Sequence, residues 1–206
     1  MTVRIIVPHR GLAAAKTRLA EVLDDAEREE LARRLLKRVL GVAHAACGDV
    51  VVISPSDALG PLVAAAGARL VHQRGLGLNA GLEQARREAL ADGIETLIVL
   101  HGDLPNLSTD DVAALLASVP IPSGVAIAPD RAGGGTNGLA MRPPDVLPFR
   151  FGADDFNRFV ESESGFHAYH QQIEYVRQLL GDRALAFPCA AADVVARHEQ
   201  AESYAR

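Results

Sequence analysis

Aromatic residues are scarce in this 206-residue sequence, where they make up 4% of all positions, and tryptophan is absent. A core without large rings has to be built from aliphatic side chains, and hydrophobic residues reach 49% of the sequence. This composition suits helices packed on a buried parallel sheet, and the length suits one domain. We therefore expect a single α/β domain over residues 1–206, with a divergent part from about residue 143.

Three further absences exclude other classes of protein. The two cysteines, Cys47 and Cys189, form neither a CxxC pair nor a metal-binding spacing, so two reduced thiols are expected. No apolar run is long enough to cross a bilayer and no secretion signal opens the sequence, which favours a cytoplasmic protein with no membrane partner. The net charge is -5 with no basic stripe, so nucleic acid is not an expected partner.

Short apolar runs alternate with helical patterns over most of the sequence. The predicted strands are residues 3–7, 50–53, 69–72, 96–100, 125–128 and 139–141, and the predicted helices are residues 24–44, 57–66, 79–91 and a segment capped by Ser108 or Thr109. This order predicts an open, mostly parallel sheet with helices on both faces. Ligands bind such sheets at the carboxyl ends of the strands, so the residues that follow each strand are candidates for a site.

The loop after the first strand carries three cations, Arg10, Lys16 and Arg18, among a glycine and small alanines. Cations on a loop of small residues suit a polyphosphate, because the backbone can approach the ligand. The loop lacks the Gly-Lys-Ser/Thr ending of a P-loop and the glycines of the dinucleotide fingerprint. A solvated basic loop is the alternative, but the position directly after a strand favours phosphate binding.

Asp103 follows the most β-like strand, in the run His101-Gly102-Asp103-Leu104-Pro105. A carboxylate at the carboxyl end of a strand, beside a phosphate-binding loop, is suited to hold Mg²⁺. Ser108 and Thr109 can cap the next helix, which leaves Asp103 available for another role. For His101 a packed or hydrogen-bonded ring is the simpler interpretation.

Glycines mark a third candidate segment, Gly75-Leu76-Gly77-Leu78-Asn79. Gly75 and Gly77 allow close approach of the backbone to a ligand, and Asn79 begins a predicted helix. Recognition by backbone and amide groups would suit this place, although Gly-x-Gly loops are common.

Three consecutive glycines at residues 133–135 precede Thr136 and Asn137. Thr136 and Asn137 can offer hydroxyl and amide donors to an anionic substrate, and a flexible hairpin tip is the alternative. Phe151-Gly152, followed by acidic residues at 154 and 155, is a further candidate segment.

Together these segments resemble the CofC/FbiD guanylyltransferases of coenzyme F-420 biosynthesis, over about residues 3–156. The matching segments are Ala15-Lys16-Thr17-Arg18-Leu19, Gly75-Leu76-Gly77-Leu78-Asn79, Gly102-Asp103-Leu104-Pro105, and Pro129-Asp130 with Gly135-Thr136-Asn137. The resemblance implies a GT-A-like nucleotidyltransferase that transfers GMP from GTP to a small phosphorylated acid and releases pyrophosphate. It leaves 2-phospho-L-lactate, phosphoenolpyruvate and 3-phospho-D-glycerate open as the acid.

The resemblance also implies roles for individual residues. The catalytic set would be Lys16, Arg18 and Asp103, with Asp103 as a ligand of Mg²⁺. The nucleotide-binding set would be Arg10, Gly75, Gly77 and Asn79. The acid-binding set would be Thr136, Asn137, Gly152 and Asp155.

The sequence departs from the family pattern in three places. Arg10 stands where the family generally carries lysine, which keeps the charge and changes the donor geometry. Asp155 stands where the family carries serine, so a carboxylate would face an anionic substrate. Residues 185–190 lack the carboxylates that complete the family's metal site, which leaves Asp154, Asp155 or Asp193 as substitutes.

Two other functions and the oligomeric state stay open. A related nucleotidyltransferase could use another base or acceptor, as the molybdopterin guanylyl- and cytidylyltransferases do, but residues 8–11 lack their Gly-rich first loop. A nucleotide-binding homologue with impaired catalysis is the second. Phenylalanines at positions 149, 151, 156 and 159 could line a homodimer surface or pack in the core, and the core is expected.

Overall fold

A six-stranded sheet forms the centre of the computed structural model, which describes residues 1–13, 16, 19–129 and 136–152. The strands are β1 Val3–Pro8, β2 Val50–Ser54, β3 Arg69–His72, β4 Thr96–Leu100, β5 Gly124–Pro129 and β6 Thr136–Arg142. The helices are α1 Asp25–Cys47, α2 Gly60–Ala65, α3 Leu78–Ala91 and α4 Thr109–Ala117. The predicted alternation of strands and helices is confirmed.

The strand order in the sheet is β3-β2-β1-β4-β6-β5. Strands β3, β2, β1 and β4 are parallel, whereas β6 runs antiparallel to both β4 and β5. The mostly parallel sheet is therefore confirmed. Because β6 runs backwards, its first residues lie at the edge where β4 ends: Gly138 pairs with Leu100, and Thr136 pairs with Pro129. A strand that is remote in the sequence thus begins at the edge where ligands bind.

Alternating side chains of β1 divide the core into two layers. Ile5 and Val7 pack with Leu36 of α1 on one face, and Ile6 packs with Leu82 of α3 on the other. All five side chains are fully buried. Period-two alternation of a strand therefore accounts for helices on both faces of the sheet.

Two helices begin at capping boxes, in which two residues three positions apart each accept, with the side chain, the backbone N–H of the other. At α1, the backbone N of Glu27 donates to Asp24 Oδ1 and the backbone N of Asp24 donates to Glu27 Oε2, both at 2.9 Å. At α4, Ser108 and Asp111 form the same arrangement. Since Ser108 caps α4, Asp103 is not needed for that purpose.

The helix predicted at 57–66 is divided in the structure. A 3-10 helix, Asp57–Leu59, leads directly into α2, which has Pro61 in its first turn. Proline has no backbone N–H to donate within a helix, and it is favoured where a helix starts. The proline therefore explains why the α-helix begins late.

Phe149 and Phe151 are each 6% exposed and pack in the layer that contains α3. The expected core placement is confirmed for these two phenylalanines. The other two phenylalanines and the rest of residues 153–206 lie outside the described residues, so one domain over the full length stays a prediction. No helix in the described ranges combines the length and the apolar character needed to span a membrane.

Candidate functional site

A pocket of about 910 Å³ opens at the carboxyl edge of the sheet. Its walls come from the segments that follow β1, β2, β3 and β4 and from the start of α3. The lining residues are Pro8, His9, Arg10, Gly11, Lys16, Leu19, Ala32, Pro55, Gln73, Gly75, Leu76, Gly77, Leu78, His101, Gly102 and Asp103. Ligand pockets usually measure about 300–1,000 Å³, so this one lies at the upper end of the range for small-molecule sites.

Lys16 and Asp103, which are 87 positions apart in the chain, meet in this pocket with Lys16 Nζ donating to Asp103 Oδ2 at 2.7 Å. The Lys16 side chain is 25% exposed and the Asp103 side chain 53%. Burial alone would raise the pKa of Asp103, but the hydrogen bond and charge of Lys16 bring that pKa below its ordinary value. The carboxyl group is therefore ionised at neutral pH, and two of the three predicted catalytic side chains line one cavity.

The backbone of Lys16 is strained, because its φ of 57° lies in the left-handed region. That conformation costs a non-glycine residue about 1–2 kcal/mol. An ion pair of such exposure contributes only about 0–1 kcal/mol to stability. The ion pair therefore does not offset the strain of its own backbone, an imbalance found where a residue is held in place for a ligand.

The turn after β1 depends on Gly11 and His9. Gly11 has a φ of +106°, and a Cβ there would lie 3.1 Å from Cβ of Ser56. Its backbone N donates to His9 Nδ1 at 3.0 Å. Burial lowers the pKa of His9, so the ring is neutral and can accept this bond. Exposed Arg10 lies between them and lines the pocket, so Arg10 and Lys16 both present cations to it.

Two glutamines hold the glycine-rich loop between β3 and α3. Gln73 Nε2 donates to the carbonyl oxygens of Gly75 at 2.7 Å and Gly77 at 2.9 Å. Gln84 Oε1 accepts from the backbone N of Arg74 at 2.9 Å. The sequence interpretation gave neither glutamine a role of its own, although an amide directly between a strand and a glycine loop is a usable signal. The loop is thus fixed by side chains rather than by regular structure.

Asn79 was predicted to bind the nucleotide, but its side chain bonds elsewhere. Its Nδ2 donates to the Phe151 carbonyl at 2.9 Å, and its Oδ1 accepts from the Phe151 backbone N at 2.8 Å. Asn79 follows Leu78, which lines the pocket. A nucleotide role for Asn79 stays a prediction, whereas in the structure its side chain bonds the main chain of Phe151.

His101 contacts two segments that hold predicted acid-binding residues. The backbone N of His101 donates to the Asn137 carbonyl at 3.3 Å. The ring of His101 packs edge-on against Phe151, with 5.7 Å between the ring centroids, and Gly152 is the next residue. Thr136, which precedes Asn137, is buried. His101 is thus the packed side chain that the sequence indicated, and it lies two positions before Asp103 in the sequence.

Arg18, Asp130, Asp154, Asp155 and Asp193 lie outside the described residues.

Asp103 is suited to bind a divalent cation, because it is ionised and half exposed in the pocket. In the described part of the chain, no three or more His, Cys, Asp or Glu side chains form a group that could hold a metal ion. Magnesium in nucleotide sites commonly takes one or two carboxylates together with substrate phosphates and water. The donor set present here therefore fits a metal that arrives with a polyphosphate.

Residues 3–169 match the protein family described as "Guanylyl transferase CofC like". The chain belongs to the CofC-like family. Among its relatives, the phosphoenolpyruvate guanylyltransferase of Sphaerobacter thermophilus is 42% identical over 160 residues, which are 77% of each chain. The 3-phospho-D-glycerate guanylyltransferase of Phenylobacterium zucineum is 39% identical over 163 residues, covering 74% of this chain and 72% of the relative.

Solved structures show the fold of this CofC-like protein. A nucleotide-diphospho-sugar transferase structure from Desulfovibrio desulfuricans superposes with a TM-score of 0.58 at 23% identity, covering 86% of this chain and 77% of the other. Glucosyl-3-phosphoglycerate synthase from Mycobacterium tuberculosis gives a TM-score of 0.53 at 12% identity, covering 81% and 67%. The predicted GT-A-like α/β fold is confirmed.

Proposed function

We propose that this CofC-like protein transfers GMP from GTP to a small phosphorylated carboxylic acid and releases pyrophosphate. The observation that carries the proposal is the Lys16–Asp103 pair in a large pocket at the carboxyl edge of the sheet. Phosphoenolpyruvate is the first candidate acid and 3-phospho-D-glycerate the second, because relatives carry these names. The product would be a GDP-linked acid for coenzyme F-420 biosynthesis.

Charge in the pocket suits a triphosphate. Arg10 and Lys16 present two cations, and a phosphate oxygen could replace Asp103 as the acceptor for the Lys16 ammonium. That exchange would free the Asp103 carboxylate. Asp103 would then hold Mg²⁺, which supplies neutralisation of charge on the phosphates.

The proposed reaction is a direct substitution at phosphorus. A phosphate oxygen of the acid attacks the α-phosphorus of GTP, the bond from that phosphorus to the bridging oxygen breaks, and pyrophosphate leaves. The protein needs no covalent intermediate for this step. Its contribution is to position the two anionic substrates and to offset their repulsion, mainly through Lys16 and Arg10 and, on the family pattern, Arg18.

The acid is proposed to bind beside His101. Thr136, Asn137 and Gly152 are the residues that we assign to it, together with Asp155. The contacts of His101 with Asn137 and Phe151 support this assignment, because they bring both segments to the end of β4. The acid would then approach the phosphates that Lys16 holds from the β6 side.

The proposal is tested by pyrophosphate release from the purified full-length chain. Four nucleoside triphosphates would be crossed with 2-phospho-L-lactate, phosphoenolpyruvate and 3-phospho-D-glycerate, each with and without Mg²⁺. We expect pyrophosphate release only with GTP, Mg²⁺ and one or more of the acids. The amount of pyrophosphate should equal that of a GDP-linked acid identified by mass spectrometry. Release with another nucleotide would support the related transferase instead, and no acid-dependent release would contradict the proposal.

A further inference from the structure

We infer that Asn79 is a positioning residue for the acid substrate rather than a reader of the nucleotide. Its side-chain amide fixes the main chain at Phe151, and thereby Gly152, against the start of α3. The inference rests on the proposed function, in which Gly152 contacts the phosphorylated acid.

The first support is the geometry of the contact. The Asn79 amide nitrogen donates to the Phe151 carbonyl at 2.9 Å, and the Asn79 amide oxygen accepts from the Phe151 backbone N at 2.8 Å. The two residues are 72 positions apart in the chain. Such a pair of hydrogen bonds fixes both the distance and the orientation of the Phe151 peptide groups relative to α3. Because the contact is partly buried, water does not readily take over either bond.

The second support is the surroundings of Phe151. Its ring meets His101 edge-on and stacks on Phe149, with 6.1 Å between the two phenylalanine centroids. The guanidinium of Arg86, from the same helix as Asn79, lies 5.1 Å over the Phe149 ring. Residue 151 is thus where α3, the end of β4 and the segment after β6 meet. A change in its main chain would move Gly152 relative to His101.

The third support is that the glycine-rich loop does not depend on Asn79. Gln73 and Gln84 bond the main chain of that loop, whereas the side-chain bonds of Asn79 go to Phe151. Loss of the Asn79 amide should therefore disturb the 151–152 segment while leaving the loop that faces the nucleotide in place. This separation predicts a selective kinetic effect.

The experiment compares wild type with Asn79→Leu, which has a similar size and no polar atoms, and Asn79→Ala, the milder variant should the leucine chain fail to fold. Arg87→Ala is the matched control, because Arg87 is exposed on the same helix and bonds the Glu83 carbonyl of that helix. Steady-state kinetics give KM for the acid and for GTP. Hydrogen–deuterium exchange at the Phe151 amide reports the contact itself without substrate.

We expect the Asn79 variants to raise KM for the acid about tenfold, to leave KM for GTP within about twofold, and to speed Phe151 exchange at least about tenfold. Arg87→Ala should change none of the three. A rise in KM for GTP with no change for the acid, or Phe151 exchange equal to wild type, would overturn the inference. A wild-type chain that turns over none of the acids would overturn the proposed function, whereas the exchange result judges the Asn79 contact independently.

Discussion

Lys16 holds a conformation that costs more than its ion pair returns, with a φ of 57° and a partner that is half exposed. Stability alone therefore does not explain why the Lys16 ammonium stays at Asp103. On the proposed function, the pair is two groups kept near the positions that they would occupy with phosphate and a cation bound. That interpretation makes Lys16 important for nucleotide binding and nearly neutral for folding.

Two substitutions at Lys16 separate these effects. Lys16→Ala and Lys16→Gly both remove the ammonium, and both should raise KM for GTP about tenfold or more. Glycine also relieves the left-handed strain, so the glycine variant should unfold at a temperature equal to or above that of the alanine variant. GTP kinetics and thermal unfolding measure the two effects. A normal KM for GTP in both variants would remove Lys16 from the nucleotide site.

At the scale of elements, the loop between β3 and α3 is shaped by a glycine inside the helix. A Cβ at Gly81 would lie 2.6 Å from Oε1 of Gln73, the side chain that holds Gly75 and Gly77. The terminal amide of Gln73 can swing away from such a Cβ at little cost to folding. The bonds from Gln73 to the loop would then be lost.

We therefore expect Gly81→Ala to raise KM for GTP by about fivefold, since the loop loses two hydrogen bonds, with little change in unfolding temperature. Gly41→Ala is a matched control in α1, because a Cβ there meets nothing within 4 Å. The control should keep wild-type kinetics and stabilise the protein by about 0.5–1 kcal/mol. Equal GTP kinetics in the two variants would show that Gln73 does not shape the site.

Local pattern was enough to predict most elements. The buried run at β4, the cap at Asp24 and the segment at β3 all have signals within a few residues. The contact of Asn79 has no such signal, because a side chain that bonds main chain 72 positions away has no characteristic spacing. Sequence reasoning therefore selected segments that meet in one pocket, and it could not distinguish residues that line the pocket from residues that hold those segments.

At the scale of the whole molecule, the parallel strands bring the segments of the candidate site together. Segments that follow β1, β3 and β4 reach one edge because parallel neighbours end together, and this much followed from the predicted parallel sheet. The reversed direction of β6 did not follow, since local apolar pattern carries no information on strand direction. That reversal brings Thr136 to the same edge. The family match extends through residue 169, beyond the described residues.

The most direct test of the central claim is turnover of GTP with phosphoenolpyruvate by Asp103→Asn, measured as Mg²⁺-dependent pyrophosphate release. Asparagine keeps the size of the side chain and removes the charge that holds Lys16 and would hold the cation. We predict a loss of at least about 100-fold in kcat, with an unfolding temperature close to wild type because the ion pair is half exposed. Wild-type turnover by the folded Asp103→Asn variant would contradict the account.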